Sequence, residues 1–285
     1  MLRPCQEIRR RCFDHPAVCI EAAAARAGRN CRTPEALTPQ LQIVLTLRGA
    51  FVYERGSSHS LLTANQALFI APGDVSRDRF VDENPLDYML VTPHLDAAAS
   101  IVGETAVAGL RKVARDTHVL GARARLQHVA SGLWNSSQRS GRDDIEVEQF
   151  AVELLTEIVH AASALSASAP AKRGRVGWQK ARLIGAAKEL IGTGRERWSL
   201  TGIAAQLRVS PAYLTDLFRR HEGVSIARYQ RRLRLSRALI ELPHTENIAA
   251  LALELGFSSH AHFSTAFRAT YGETPSMYRR RLHGR

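Results

Sequence analysis

The sequence predicts a two-domain α+β chain: a small β-barrel with helices over residues 1–162, a linker at 163–177, and an all-α half over 178–285. Three observations predict it. Short β-rich runs occupy the first third, the hydrophobic period changes near Asp143, and the last hundred residues contain an internal repeat.

The β-rich runs are Gln42 to Leu47, Ala50 to Tyr53, Ala67 to Ile70 and Tyr88 to Val91, separated by turn residues such as Pro72-Gly73-Asp74. Short strands at such regular spacing suit an antiparallel barrel or sandwich. From Asp143 onward, Phe150, Ala151, Leu154, Leu155, Ile158, Val159 and Ala162 recur at intervals of three and four, one apolar face of a helix. That face must pack either on the barrel or on a second copy of the chain, so a homodimer through this helix is one expectation. Residues 162–177 hold small residues, one proline and then basic residues. They can bury little and read as the linker. Beyond them helices are expected at 178–191, 200–207, 211–221, 225–242, 248–255 and 259–270, with a last short one from Pro275.

Charge separates the halves. Residues 1–170 carry 18 basic against 19 acidic side chains, whereas residues 171–285 carry 21 against 8. The whole excess of +12 therefore lies on the helical half, as expected for a polyanion partner such as nucleic acid. No run of about 18 apolar residues is present to span a bilayer, and the basic cluster Arg9-Arg10-Arg11 is followed by Cys12, Asp14, His15 and Pro16 rather than by a secretory apolar region. No membrane association and a cytoplasmic location are the expectation.

The repeat is explicit. At an offset of 48, Leu200, Ile203, Ala204, Leu207 and Val209 match Ile248, Leu251, Ala252, Leu255 and Phe257. At an offset of 49, Ser210, Leu214, Phe218, Arg219, Gly223, Ser225 and Tyr229 match Ser259, Phe263, Phe267, Arg268, Gly272, Thr274 and Tyr278. A short helix, a turn and a second helix thus occur twice, the helix-turn-helix arrangement. Ala204 and Ala252 let the paired helices cross closely, Ser210 and Ser259 can cap the second helices, and Gly256 suits a left-handed turn residue. Arg208 stands in its place in the first repeat, predicting a strained or differently shaped turn. The register turns Ala212, Thr215, Asp216 and Arg219 outward on the first recognition helix. On the second, His260, Ala261, His262, Ser264, Thr265 and Arg268 are outward or near the helix start, and all ten are candidate DNA-binding residues.

Residues 248–280, with Gly256-Phe257, Phe263, Phe267-Arg268, Gly272, Pro275 and Tyr278-Arg279, resemble the signature of AraC/XylS-type bacterial transcription regulators. The likeness runs back through the helix at 231–242 to the first unit. It implies two helix-turn-helix subdomains, joined by a long helix, in successive major grooves of double-stranded DNA. It also implies an N-terminal cupin-like barrel that senses a small-molecule effector, helices that dimerise, and RNA polymerase as a partner. A helix over 225–242 would span about 27 Å, close to the ~34 Å between successive major-groove faces, so one chain can supply both recognition helices.

Several readings stand beside these. Asp216 can accept from a cytosine amino group or pair with Arg219 or Arg220. His260 and His262 are two apart, unlike the i, i+4 pair that shares a metal, and read as base or phosphate contacts or as solvated, capping side chains. The barrel region has His59 and His94 but no H-x-H, so neither a metal nor another cofactor is expected there. No nucleophile elbow or phosphate loop supports an enzyme, and the repeat aromatics are interior rather than displayed for RNA stacking. The alternative control of the same regulator is redox chemistry at Cys5, Cys12, Cys19 and Cys31, whose spacing fits no C-x-x-C pattern.

Overall fold

A computed structural model describes residues 5–64, 66–121, 123–139, 143–166, 175–193 and 198–283. The strands start well before Gln42, where the β-rich runs of the sequence begin. Strands β1 (Gln6–His15) and β2 (Val18–Arg26) precede β3 (Ala36–Leu37), β4 (Gln42–Arg48), β5 (Ala50–Arg55), β6 (Ser58–Thr63), β7 (Gln66–Ile70), β8 (Val75–Phe80) and β9 (Leu86–Pro93). Helices α1 (Leu95–Val102) and α2 (Glu104–Val113), strand β10 (His118–Gly121), then α3 (Ala124–Ser137) and α4 (Asp144–Ser166) complete the N-terminal half.

All pairings are antiparallel, in a six-stranded sheet of order β1-β2-β9-β4-β7-β10 and a four-stranded sheet of order β3-β8-β5-β6. Alternation along the strands sorts side chains to two sides. Val44, Phe51, Leu68, Ile70, Leu86 and Leu90 line the barrel interior, whereas Ile43, Leu45, Phe69, Met89 and Val91 face a second core shared with Leu133, Trp134, Leu154 and Ile158. The alanine-rich β2 explains why the sequence hid it. Ala22 serves the outer core and Ala23 and Ala25 the inner one, so two strand neighbours and two buried faces override the helix propensity of alanine.

The apolar stripe of α4 is consumed within the chain. Leu154 and Leu155 are buried among β-strands and helices of their own half, which corrects the expectation of a stripe available for self-association. Gly132 permits this packing of α3 on α4, since a Cβ there would sit 2.6 Å from the Phe150 ring.

Most of the expected linker, 167–174, lies outside the described residues. The helical half comprises α5 (Arg175–Thr193), α6 (Leu200–Gln206), α7 (Pro211–Glu222), α8 (Ile226–Glu241), a 3-10 turn at Leu242–His244, α9 (Ile248–Glu254), α10 (His260–Tyr271) and α11 (Pro275–His283). It has two cores. Ile184, Ile203, Leu214, Phe218, Ile226 and Tyr229 form one, and Leu239, Leu251, Phe257, Phe263, Phe267 and Tyr278 the other. Helix α8 feeds the first core from its start and the second from its end, so it spaces the two units rigidly. Its Ile240 also enters the outer core of the N-terminal half.

Polar contacts join the halves. The Thr63 hydroxyl lies 2.9 Å from the Tyr229 hydroxyl. Asn135 donates to the Leu239 carbonyl at 2.9 Å and to the Tyr278 hydroxyl at 3.2 Å, while the Tyr278 hydroxyl itself donates to the same carbonyl at 3.1 Å. Glu273 accepts from Arg281 and bonds the His128 ring, each at 2.9 Å. No helix among the described residues is long and apolar enough to cross a membrane.

Candidate nucleic-acid interface

The two units are built on the same turn. The Val209 amide donates to the Ala204 carbonyl at 3.0 Å, and the Phe257 amide to the Ala252 carbonyl at 2.9 Å. The residue before each amide is left-handed, Arg208 at φ 56° and Gly256 at φ 86°. Arg208 therefore adopts the glycine conformation at a steric cost instead of producing a different turn. The extra residue of the second unit is Ser258, placed after the turn and before the cap. Its hydroxyl lies 3.0 Å from His262 Nδ1.

Capping repeats as well. Ser210 accepts from the Tyr213 amide and Ser259 from the His262 amide, and both recognition helices end on left-handed glycines, Gly223 and Gly272. Leu214, Leu217 and Phe218 are buried on α7, as are Phe263 and Phe267 on α10. This burial fixes which faces remain outside.

On α7, Ala212, Thr215, Asp216 and Arg219 come together with Leu200 and Pro211 along one open groove of about 400 Å³. Their chemistry is unequal. The Thr215 hydroxyl donates to the Pro211 carbonyl at 2.8 Å, leaving its methyl as the distinctive surface. Asp216 pairs at 2.8 Å with Arg220, one helical turn on and one of the two arginines named above as its possible partners, so its carboxylate orients that guanidinium. The i, i+4 spacing was the available signal. Arg219 has no carboxylate partner among the described residues, nor has Arg268 on α10.

On α10, His260, Ala261, His262, Thr265 and Arg268 are exposed and Ser264 is partly covered. His260 Nε2 lies 3.3 Å from the Ser264 hydroxyl, and the His262 ring stands edge-on to Phe257 with centroids 5.5 Å apart. Both imidazoles are thus steered by their own unit. No group of three metal-ligating side chains occurs among the described residues. Ala261 and Thr265 remain as small groups able to meet thymine methyls and base edges.

A further basic feature lies on α8. Arg228, Arg231 and Arg232 are exposed within a turn of one another. Burial, then repulsion from Arg228 and Arg231, pulls the Arg232 guanidinium below its ordinary value. Like charges crowded in this way favour an anionic partner. The run Arg228 to Arg232 was legible as charge but not as a face.

The cysteines lend no support to redox chemistry. None of the four is in a disulfide, Cys12 is buried, and burial pushes the Cys5 and Cys19 thiols up, away from the reactive thiolate. Redox control is therefore not supported.

Comparison with known proteins agrees with this geometry. Residues 203–281 match the family described as "Helix-turn-helix domain", and residues 20–159 the family described as "AraC-like ligand binding domain". Regulatory protein SoxS of Escherichia coli (strain K12) is 38% identical over 81 residues, 28% of this chain and 76% of that protein. Regulatory protein PocR of Salmonella typhimurium is 34% identical over 85 residues, 30% of this chain and 28% of PocR. The HTH-type transcriptional regulator MtrA of Neisseria gonorrhoeae is 30% identical over 105 residues, 36% of this chain and 35% of MtrA. The likeness thus spans about a third of PocR and MtrA. Among solved structures, an AraC-type regulator from Chromobacterium violaceum is 32% identical over 38% of this chain and 96% of its own, with a TM-score of 0.34.

Proposed function

The chain belongs to the AraC/XylS family of transcription regulators, and from that premise we propose that α7 and α10 enter successive major grooves on one face of a DNA duplex, under the control of a small molecule held in the barrel. Residues 1–162 would then be the sensor, 163–177 the linker and 178–285 the DNA-binding domain. The observation that carries the reading is the duplicated turn, which sets two recognition helices of the same geometry with Ala212, Thr215, Asp216 and Arg219 on the outer side of one and His260, Ala261, His262, Ser264, Thr265 and Arg268 on the outer side of the other, Thr215 and Ser264 partly covered.

In this reading Ala212, Thr215, Ala261, Thr265 and the two histidines meet base edges, while Arg219, Arg220, Arg268 and the α8 arginines meet phosphates. RNA polymerase as a partner, and work in the cytoplasm, follow from the family alone. Helix α4 gives no support to a homodimer, and nothing in the site calls for enzymatic chemistry.

Binding of the full chain to a duplex selected from a random library tests the proposal. With six to ten phosphates contacted, log affinity should fall against log salt with a slope of about −5 to −9. Failure to enrich any sequence, or an affinity independent of salt, would overturn it.

A further inference from the structure

The barrel interior opens as a cavity of about 410 Å³ whose floor is Val44, Phe51, Leu68, Ile70, Leu86 and Leu90. That volume suits one small ligand. The wall is polar, with the Tyr53 and Tyr88 hydroxyls, Glu7 and Arg9 from β1, and Asp78 from β8. One charge in this wall stands apart from the others.

The cause lies in the sequence Arg77-Asp78-Arg79. Along a strand, neighbours face opposite ways, so both flanking arginines carry their guanidiniums to the other face, where they meet Glu54, while part of Arg77 still borders the cavity. The ladder puts Glu54 opposite Arg77 and Tyr53 opposite Asp78. On the outer face Glu54 receives Arg77 at 3.0 Å, Arg79 at 3.1 Å and Arg32 at 3.0 Å. On the inner face Asp78 shares the cavity with Tyr53, Phe51 and Leu68. Arg9, the cation whose charge acts on Asp78, is engaged by Glu7 at 2.6 Å, and Glu7 also accepts from the Tyr88 hydroxyl. Among the described residues no side chain pairs with the Asp78 carboxyl.

An acid left without a partner over an apolar floor selects for a ligand of complementary charge. We infer that the barrel takes an amphipathic amine, its ammonium paired with Asp78 between Tyr53 and Tyr88 and its apolar body on Phe51, Leu68 and Leu90. The inference rests on the reading of the barrel as the effector site and names the ligand class for it. Burial, and then the nearby charge of Glu7, push Asp78 up to about 7, with Arg9 opposing and Glu54 adding to the rise. Cys5, Glu35 and Arg77 complete the ionisable lining. An ammonium would restore the charged form of Asp78, so binding should weaken as pH falls through 7.

The test uses the full chain and three probes with one skeleton, phenylbutylamine, phenylbutanol and phenylbutanoate, titrated by calorimetry at pH 8 and pH 6. Phenylbutylamine should bind at least about tenfold more tightly than the other two at pH 8, as a partly buried charge-assisted bond implies. About tenfold of its affinity should be lost at pH 6, as ionised Asp78 falls from roughly nine-tenths to one-tenth. Asp78→Asn removes a charge that burial opposes and should stay folded while losing the preference. Equal or tighter binding of the alcohol or carboxylate, or amine affinity unchanged in Asp78→Asn, overturns the assignment. Ser76→Trp, which fills the cavity from its partly exposed edge, separates the two levels of the argument. Alcohol or carboxylate binding abolished by Ser76→Trp leaves the barrel as the effector site and removes only the amine. If no probe binds, or if binding persists in Ser76→Trp, the amine assignment falls, and in the second case these probes do not use the barrel at all.

Discussion

Tyr229 and Tyr278, equivalent residues of the two repeats, each bring a buried hydroxyl to a buried side chain of the N-terminal half, Thr63 at 2.9 Å for the first and Asn135 at 3.2 Å for the second. Each helix-turn-helix unit is therefore held separately, and the N-terminal half fixes their relative placement together with α8. Tyr229→Phe and Tyr278→Phe should each destabilise the full chain by about 1 kcal/mol, the net worth of a buried hydrogen bond. Because the latches share no partner, the double variant should lose the sum within about 0.5 kcal/mol in urea unfolding. Strong non-additivity would show that the two units move as one.

Glu54 offers a pH signature. Burial raises its carboxyl, but Arg32, Arg77 and Arg79 outweigh burial and bring it down to about 2. A folded value below the unfolded one means stability present above about pH 4.5 and lost as pH falls toward 2. Glu54→Gln should cost about 1–2 kcal/mol at pH 7, since three partly exposed guanidiniums lose their common partner. Thermal unfolding at a series of pH values should show that difference shrinking steadily below pH 4.5.

Arg208 occupies the left-handed region that glycine occupies in the second turn. Arg208→Gly should therefore stabilise the chain by roughly 0.5–1 kcal/mol, the relief of strain less the added freedom of the unfolded chain. An unchanged or lower melting temperature would mean that the arginine side chain returns as much as its backbone loses.

The recognition helices should differ in what they read. Thr265 has an exposed side chain, whereas the Thr215 hydroxyl is already engaged by Pro211. Thr265→Ala should shift preference at particular base pairs by roughly 1–3 kcal/mol, and Thr215→Ala by less. Arg268→Ala should weaken all sequences alike and flatten the salt slope by about one unit. Binding to a selected operator and its single-base variants separates these outcomes. A change of sequence preference from Arg268→Ala alone would put the α10 register in error.

The helical half was legible because local chemistry and tertiary packing agree there. Ser210 and Ser259 cap, Gly223 and Gly272 stop, and Phe218 and Phe267 point inward. The N-terminal half was only partly legible. Strands β1 and β2 escaped because Arg9 to Arg11 and Ala22 to Ala25 carry no strand pattern, and the sheet edge and two cores define them instead. The stripe on α4 was visible, but a periodic face does not reveal what covers it. The solitary Asp78 was invisible for a related reason, since its sequence neighbours are arginines and only the pleat shows that they face away.

The central claim is that one chain reads two successive major grooves with α7 and α10. The most direct measurement is the affinity of the full chain for its selected operator before and after about five base pairs, half a helical turn, are inserted between the two contacted segments. The account expects specific binding to be lost, because α8 holds the two units at one spacing and the second groove then faces the opposite side. Full-affinity binding to the lengthened operator would contradict it.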